Sequence, residues 1–308
     1  MYRTLILLLV NYCFCFSVVN IALADTLSKD VYTEEVLELH NEFLNVLKSD
    51  ISKDEKCKAI YNHVHSNTQD LFIILGRLMH YVVNFNELIL QYRGIKNLED
   101  VAEVLWPKLG SIANNKLSRY EYFQYFCLQM KDNSNNTDLL NKNREYVSTV
   151  FSDSKRLVMK TRWNDFFVYL TWVKEDRQWK LFSSTRILPA SGELSASDKQ
   201  FVEQFIANVL LIEKFNTQCY RLNKIFLDQN DAKVFLSYKF GDTADIPYKE
   251  MVEAANNDAE THVKETIKIF SQFGDCDNAS MKQATFIVSM KLTDGVIDMM
   301  KKSVFASN

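Results

Sequence analysis

The chain has 308 residues, with 36 Lys and Arg against 39 Asp and Glu and a formal net charge of −3, so it lacks the electrostatic footprint of a nucleic-acid-binding protein. Hydrophobic residues make up 47% and aromatic residues 13%, enough to bury a sizeable core and to exclude intrinsic disorder. Only 7 Gly and 3 Pro leave few turn formers for a loop-rich sandwich or barrel, and helices are favoured.

The chain opens with Arg3, an apolar run from Leu5 to Val19, and Ala22-Leu23-Ala24 just before Asp25. A positive start, an apolar middle and a small-x-small ending are the plan of a cleavable export signal, so residues 1–24 are expected to be removed and the mature chain to be periplasmic or secreted. An uncleaved anchor would need about 20 apolar residues, and Asn11, Ser17 and Asn20 interrupt this run. Cys57, Cys127, Cys219 and Cys276 remain after cleavage. In an oxidising compartment the preferred pairing is Cys219 with Cys276, which leaves Cys57 with Cys127 by elimination; the alternative keeps Cys57 and Cys127 as buried thiols.

Val36, Leu39, His40, Phe43, Leu44 and Leu47 recur at helical spacing from Thr33 to Leu47. A second helix opens at Ser52, where Glu55 completes a capping box. A third, strongly apolar, runs from Asp70 to Gln91, and a short one from Val101 to Leu105. Ser118 and Glu121 cap the next, which carries Tyr122, Phe123, Phe126, Cys127 and Met130 on one side. Lys131 to Asn143 reads as a polar loop. Four β-rich runs follow, Tyr146 to Phe151, Arg156 to Trp163, Phe166 to Val173 and Gln178 to Ile187, with turns at Asn164-Asp165 and Lys174 to Arg177. Short connections imply an antiparallel meander, with Leu157, Met159, Phe167, Tyr169, Leu181 and Ile187 expected on its covered face. Ser197 and Gln200 are expected to cap another helix. Further helices are predicted at Cys219 to Phe226, Ala232 to Phe240, from Asp245 and Pro247 to near Gly274, and from Ala279 onward. The expected architecture is α+β, with helices packed on a four-stranded meander in a cone-like arrangement over residues 25–215, and an all-helical part over 216–308.

Seven scattered glycines form neither a phosphate loop nor a dinucleotide fingerprint, and no serine sits in a G-x-S-x-G elbow. His63 and His65, two apart on a helix, point about 200° from one another and make a poor metal pair. His40, His80 and His262 stand alone. No catalytic, metal or cofactor site is expected. Asn135-Asn136-Thr137 and Asn278-Ala279-Ser280 fit the glycosylation pattern. The third helix is apolar on nearly every side, so it is either a central core helix or one wall of an apolar cavity.

Leu75-Gly76-Arg77 in that helix, Ser118-Arg119-Tyr120-Glu121-Tyr122-Phe123 in the next, and Val168-Tyr169-Leu170-Thr171-Trp172 followed by Gln178-Trp179-Lys180-Leu181-Phe182 stand in a telling order. With the export signal, they resemble the MlaC-like (toluene-tolerance) family of periplasmic phospholipid-binding proteins over roughly residues 30–210. The resemblance implies a carrier that shuttles phospholipid, or another acyl-chain ligand, between membranes by enclosing its tails and handing it to membrane-associated transport components. Leu71, Leu75, Leu78, Met79, Val82, Phe123, Phe126, Tyr169 and Leu181 are the expected lipid-binding wall. Each buried CH₂ contributes about 0.8 kcal/mol, so two tails need no charged clamp. The second reading is a secreted helical interaction module with a packed core and no small-molecule ligand.

Overall fold

A computed structural model describes residues 31–91, 108, 111, 116–129, 144–163, 166–185, 192–217, 227–241 and 244–304. The expected signal segment, the helices predicted at 101–105 and 219–226, the polar loop at 131–143 and the Asn164-Asp165 turn lie outside them.

Helix α1 (31–48) turns Val36, His40, Phe43, Leu44 and Leu47 inward, the stripe its spacing predicts. Helix α2 (Lys53–His63) forms the expected capping box: the Glu55 N–H donates to Ser52 Oγ at 3.2 Å, and the Ser52 N–H donates to the Glu55 carboxylate at 3.0 Å. Helix α3 (Ser66–Gln91) begins four residues earlier than expected. The reason is His65, whose Nδ1 accepts from the Asn67 N–H and whose carbonyl accepts from Thr68 and Gln69, so an imidazole takes the place of the usual capping oxygen. Helix α4 (Arg119–Gln129) starts at the predicted Ser118–Glu121 box.

Strands β1 (Glu145–Ser152), β2 (Arg156–Trp163), β3 (Phe166–Glu175) and β4 (Gln178–Thr185) form one antiparallel sheet in sequence order. Asp176 and Arg177, at φ 49° and 69°, occupy the two left-handed positions of the β3–β4 turn, a geometry that follows the twist of the flanking strands. Leu157, Met159, Val168, Leu170, Trp172, Trp179 and Leu181 form the covered face. This corrects the expected set at Phe167 and Tyr169, while Ile187 lies outside the described residues. Met159 pairs with Leu170 and Leu157 with Trp172, so Phe167 and Tyr169 lie on the opposite face. The run from Phe166 to Val173 is apolar at almost every position, and its alternation could be read in either phase. Helix α1 crosses the covered face, where His40 meets the Trp172 ring edge-on and Tyr32 meets Trp179.

The rest of the chain is mostly helical. Helix α5 (Ala196–Phe215) is capped by Ser195 accepting from the Asp198 N–H, two residues before the expected Ser197. Asp228 and Asp231 form a capping box at α6 (Gln229–Phe240). Helix α7 (Tyr248–Ile269) follows Pro247 and runs into a 3₁₀ turn, Phe270–Phe273, closed by Gly274 at φ 96°. Helix α8 (Ala279–Val304) comes last. One pairing was not anticipated: two-residue strands β5 (Gly192–Glu193) and β6 (Ala244–Asp245) run parallel and join the segment before α5 to the one before α7.

Helix α3 is the element on which the others converge, packing on α4, α6, α8 and β4. Its closest contact is at Gly76, where a Cβ would stand 1.9 Å from the Tyr122 carbonyl oxygen in α4. A disulfide between Cys57 and Cys127 ties α2 to α4, so these two are not free thiols. Cys276 is also disulfide-bonded, while residue 219 lies outside the described residues. The hydrophobic core is continuous from Val36 to Met300 and runs without interruption past residue 215.

Two stability measurements follow from this geometry. Gly76→Ala is expected to lower the unfolding free energy by about 1–3 kcal/mol in a urea titration, because the α3 and α4 backbones must separate to admit a methyl group. Cys57→Ser with Cys127→Ser is expected to cost about 4 kcal/mol in the same assay, the chain-entropy value for a loop spanning 70 residues.

Candidate functional site

The nine residues expected to line a lipid cavity separate into three groups. Leu71, Leu75, Leu78, Phe123, Phe126 and Leu181 are exposed by no more than 1%. At that level a water-sized sphere reaches them neither from outside nor from within, so no space large enough for a guest borders them. Protein side chains fill the volume instead. The Phe72 ring lies 5.5 Å from that of Phe123 and 4.8 Å from that of Phe126, and Tyr61 meets Phe123 edge-on at 4.9 Å. Leu181 sits where the α2–α3 linker joins the sheet, its carbonyl accepting the His65 N–H at 3.0 Å. Tyr169, on the other side of the sheet, cannot share a cavity with these six.

Met79 and Val82 form the third group, and they do line a concavity. With Val83 they face Asp294, Gly295, Ile297, Asp298 and Lys301 of α8 across a groove of about 270 Å³. Positions 79, 82 and 83 share one side of α3, and 294, 297, 298 and 301 share one side of α8. A Cβ built on Gly295 would meet nothing within 4 Å, so the glycine leaves the groove open rather than serving a backbone contact. The floor is apolar and one rim is charged. Burial, reinforced by the Asp298 carboxylate, raises the Asp294 carboxyl above its ordinary pKa, with Lys301 acting in the opposite sense. The groove falls just below the roughly 300–1,000 Å³ of drug-sized ligand pockets, and two acyl tails exceed it. Sequence reading found the α3 half from its apolar run and missed the α8 half; the signal was a glycine flanked by Asp294 inside an otherwise regular helix.

Buried polar groups mark two other places. Arg77 of α3 forms an ion pair with Asp231 of α6, with side chains only 18% and 11% exposed. Burial pushes the Asp231 carboxyl above its ordinary range, and the Arg77 guanidinium pulls against that rise. Asp231 also accepts the Asp228 N–H at 3.2 Å, so one carboxylate serves both the ion pair and the helix cap. His40, 2% exposed beneath the sheet, has neither ring nitrogen hydrogen-bonded. Desolvation, with the nearby charges of Arg144 and Lys48, lowers its pKa from 6.5 to about 4.

The remaining histidines do not converge. His63 Nδ1 lies 2.7 Å from the Ala59 carbonyl, whereas His65 Nε2 lies 3.6 Å from Glu175 on β3. His80 contacts Asn84 and the Tyr81, Tyr122 and Tyr125 rings. Among the described residues no group of three or more His, Cys, Asp or Glu side chains could hold a metal ion, and no helix is long and apolar enough to cross a membrane. No protein-family model, no curated protein and no solved structure matches the chain.

His40 gives the fold a defined acid sensitivity. Between pH 6.5 and about 4 the unfolded chain takes up a proton that the folded imidazole refuses, so stability falls as pH drops through that window and the loss is complete below it. The full effect is about 3 kcal/mol. Urea midpoints measured at pH 7 and near pH 4 should differ less in His40→Leu than in the parent protein.

Proposed function

We propose that this protein is a non-enzymatic binding module, working in the periplasm or outside the cell after loss of residues 1–24, whose interior is solid and whose surface recognises a macromolecular partner. The full burial of Leu71, Leu75, Leu78, Phe123, Phe126 and Leu181 supports this reading over that of a phospholipid carrier. A carrier of the MlaC-like kind needs free volume beside these residues, and their own neighbours occupy it. Among the described residues the α3–α8 groove is a support for an apolar guest, and its volume suits a short apolar group rather than a two-tailed lipid. The helices after residue 215 supply ample surface for recognition: α7 fully buries only Ala259 and Val263 among its 22 residues.

Mass spectrometry of the purified protein, intact and after organic extraction, tests the proposal. The expected result is a bare polypeptide mass, no stoichiometric lipid in the extract, and no uptake of a fluorescent phospholipid. One phospholipid per chain would overturn the solid-core reading and restore the carrier.

A further inference from the structure

Large apolar side chains are exposed unevenly. Tyr146, Val147, Val150, Phe151, Phe166 and Phe167, each 38–45% exposed, all lie on β1 or at the start of β3. This end of the sheet is remote from α6, whose Tyr238 hydroxyl contacts the Ser184 backbone of β4 on the opposite flank. Register places three cations on the face that carries Phe151 and Phe167. Arg156, Lys160 and Arg162 alternate with the covered Leu157, Met159 and Thr161, so all three share the outward face of β2. Arg162 pairs across the sheet with Phe167, Lys160 with Tyr169, and Phe151 with Val158, which puts Phe151, Phe167 and Tyr169 on the same face as the cations, whereas Tyr146 pairs with Thr161 and Phe166 with Trp163, so these two rings belong to the covered side.

Lys160 Nζ stands 3.8 Å from the centre of the Phe167 ring, and the Arg156 guanidinium 5.9 Å from that of Phe151. On this face Glu145 is bonded to Arg162 at 2.8 Å. Val158 and Thr171 on the same face are buried, so the patch comprises Lys160, Arg162 and Phe167 at the end of β2 and start of β3, with Phe151 and Arg156 at the end of β1 and start of β2.

We propose that this face docks on an anionic lipid surface. Aromatic and aliphatic side chains enter the headgroup region while lysine and arginine stems carry their charges to the lipid phosphates, and a patch combining the two is complementary to that surface in both polarity and sign. The export signal would bring the chain beside such a surface. The inference goes beyond the solid-core reading and stands whether or not the interior holds a guest.

Sedimentation of the purified protein with vesicles tests it, using phosphatidylcholine alone and phosphatidylcholine containing about one-third phosphatidylglycerol. The protein should pellet with the anionic vesicles, remain in solution with the neutral ones, and be released by high salt. Lys160→Gln should weaken binding roughly five-fold, the value of one cation at such a surface, and Phe167→Ser should weaken it at unchanged salt dependence. Both side chains are partly solvent-accessible, and circular dichroism melts confirm that each variant folds; if Phe167→Ser does not, the lipid comparison, the salt series and Lys160→Gln decide alone. Equal binding to both vesicles, binding to neither, or binding that both substitutions leave intact would overturn the proposal. So would a dimer in solution that Phe167→Ser abolishes without any vesicle binding, since a second copy would then own the face.

Discussion

The contact at Gly76 governs the arrangement of everything around α3. Because no side chain stands there, α3 and α4 approach until a backbone carbonyl of one fills the space where the other would carry a methyl group. That proximity stacks Phe72 onto Phe123 and Phe126, brings the Tyr81 and Tyr122 hydroxyls within 3.2 Å, and sets α2 where Cys57 can reach Cys127. Each large apolar side chain so enclosed contributes about 1.5–3 kcal/mol. The described apolar side chains from Leu71 to Leu78 are thereby covered by neighbours, and the space beside Leu71, Leu75 and Leu78 is taken up by the protein's own packing.

The Arg77–Asp231 pair attaches the C-terminal helices to that centre. Two charges withdrawn from water contribute little net stability when paired, but removal of either partner typically costs about 3–5 kcal/mol because the other is left buried and alone. The pair therefore fixes which face of α6 meets α3 more than it holds the two together. Dual use of Asp231, as ion-pair partner and as capping residue, links that choice of face to the start of the helix itself. His40 is the converse case. It fills space beneath Trp172 without hydrogen bonds, and the neutral imidazole is tolerated there only while the solvent is not acidic enough to protonate it.

Much of the fold was legible in the sequence wherever a local chemical device marks it. Ser52 with Glu55 and Ser118 with Glu121 announce helix starts that the structure places where expected, and turn residues divide the meander into its four strands. Devices without a compositional signal were missed: His65 caps α3 through an imidazole nitrogen, and Ser195 rather than Ser197 caps α5 although both are serines. The phase of β3 was misread because Phe166 to Leu170 offers no polar position to fix it. That six of the nine residues expected on a lipid wall are packed within the core has a related reason. Apolar residues at helical spacing look the same whether they face a void or another side chain, and only the bulk of the neighbours, set by contacts distant in sequence such as Gly76 with Tyr122, decides between them.

The register of β1 against β2 slips twice, between Tyr146 and Ser148 and between Thr149 and Phe151. Each slip inserts an unpaired residue, Val147 and Val150, and bends a strand that, among the described residues, has no neighbour on its far side in the sheet. A straight outer strand rich in valine and phenylalanine would offer a regular row of amide and carbonyl groups for another chain to continue, the usual seed of fibrous self-assembly. By breaking that row in two places, the irregular ladder lets the molecule display greasy residues at its rim while withholding the template on which copies could stack.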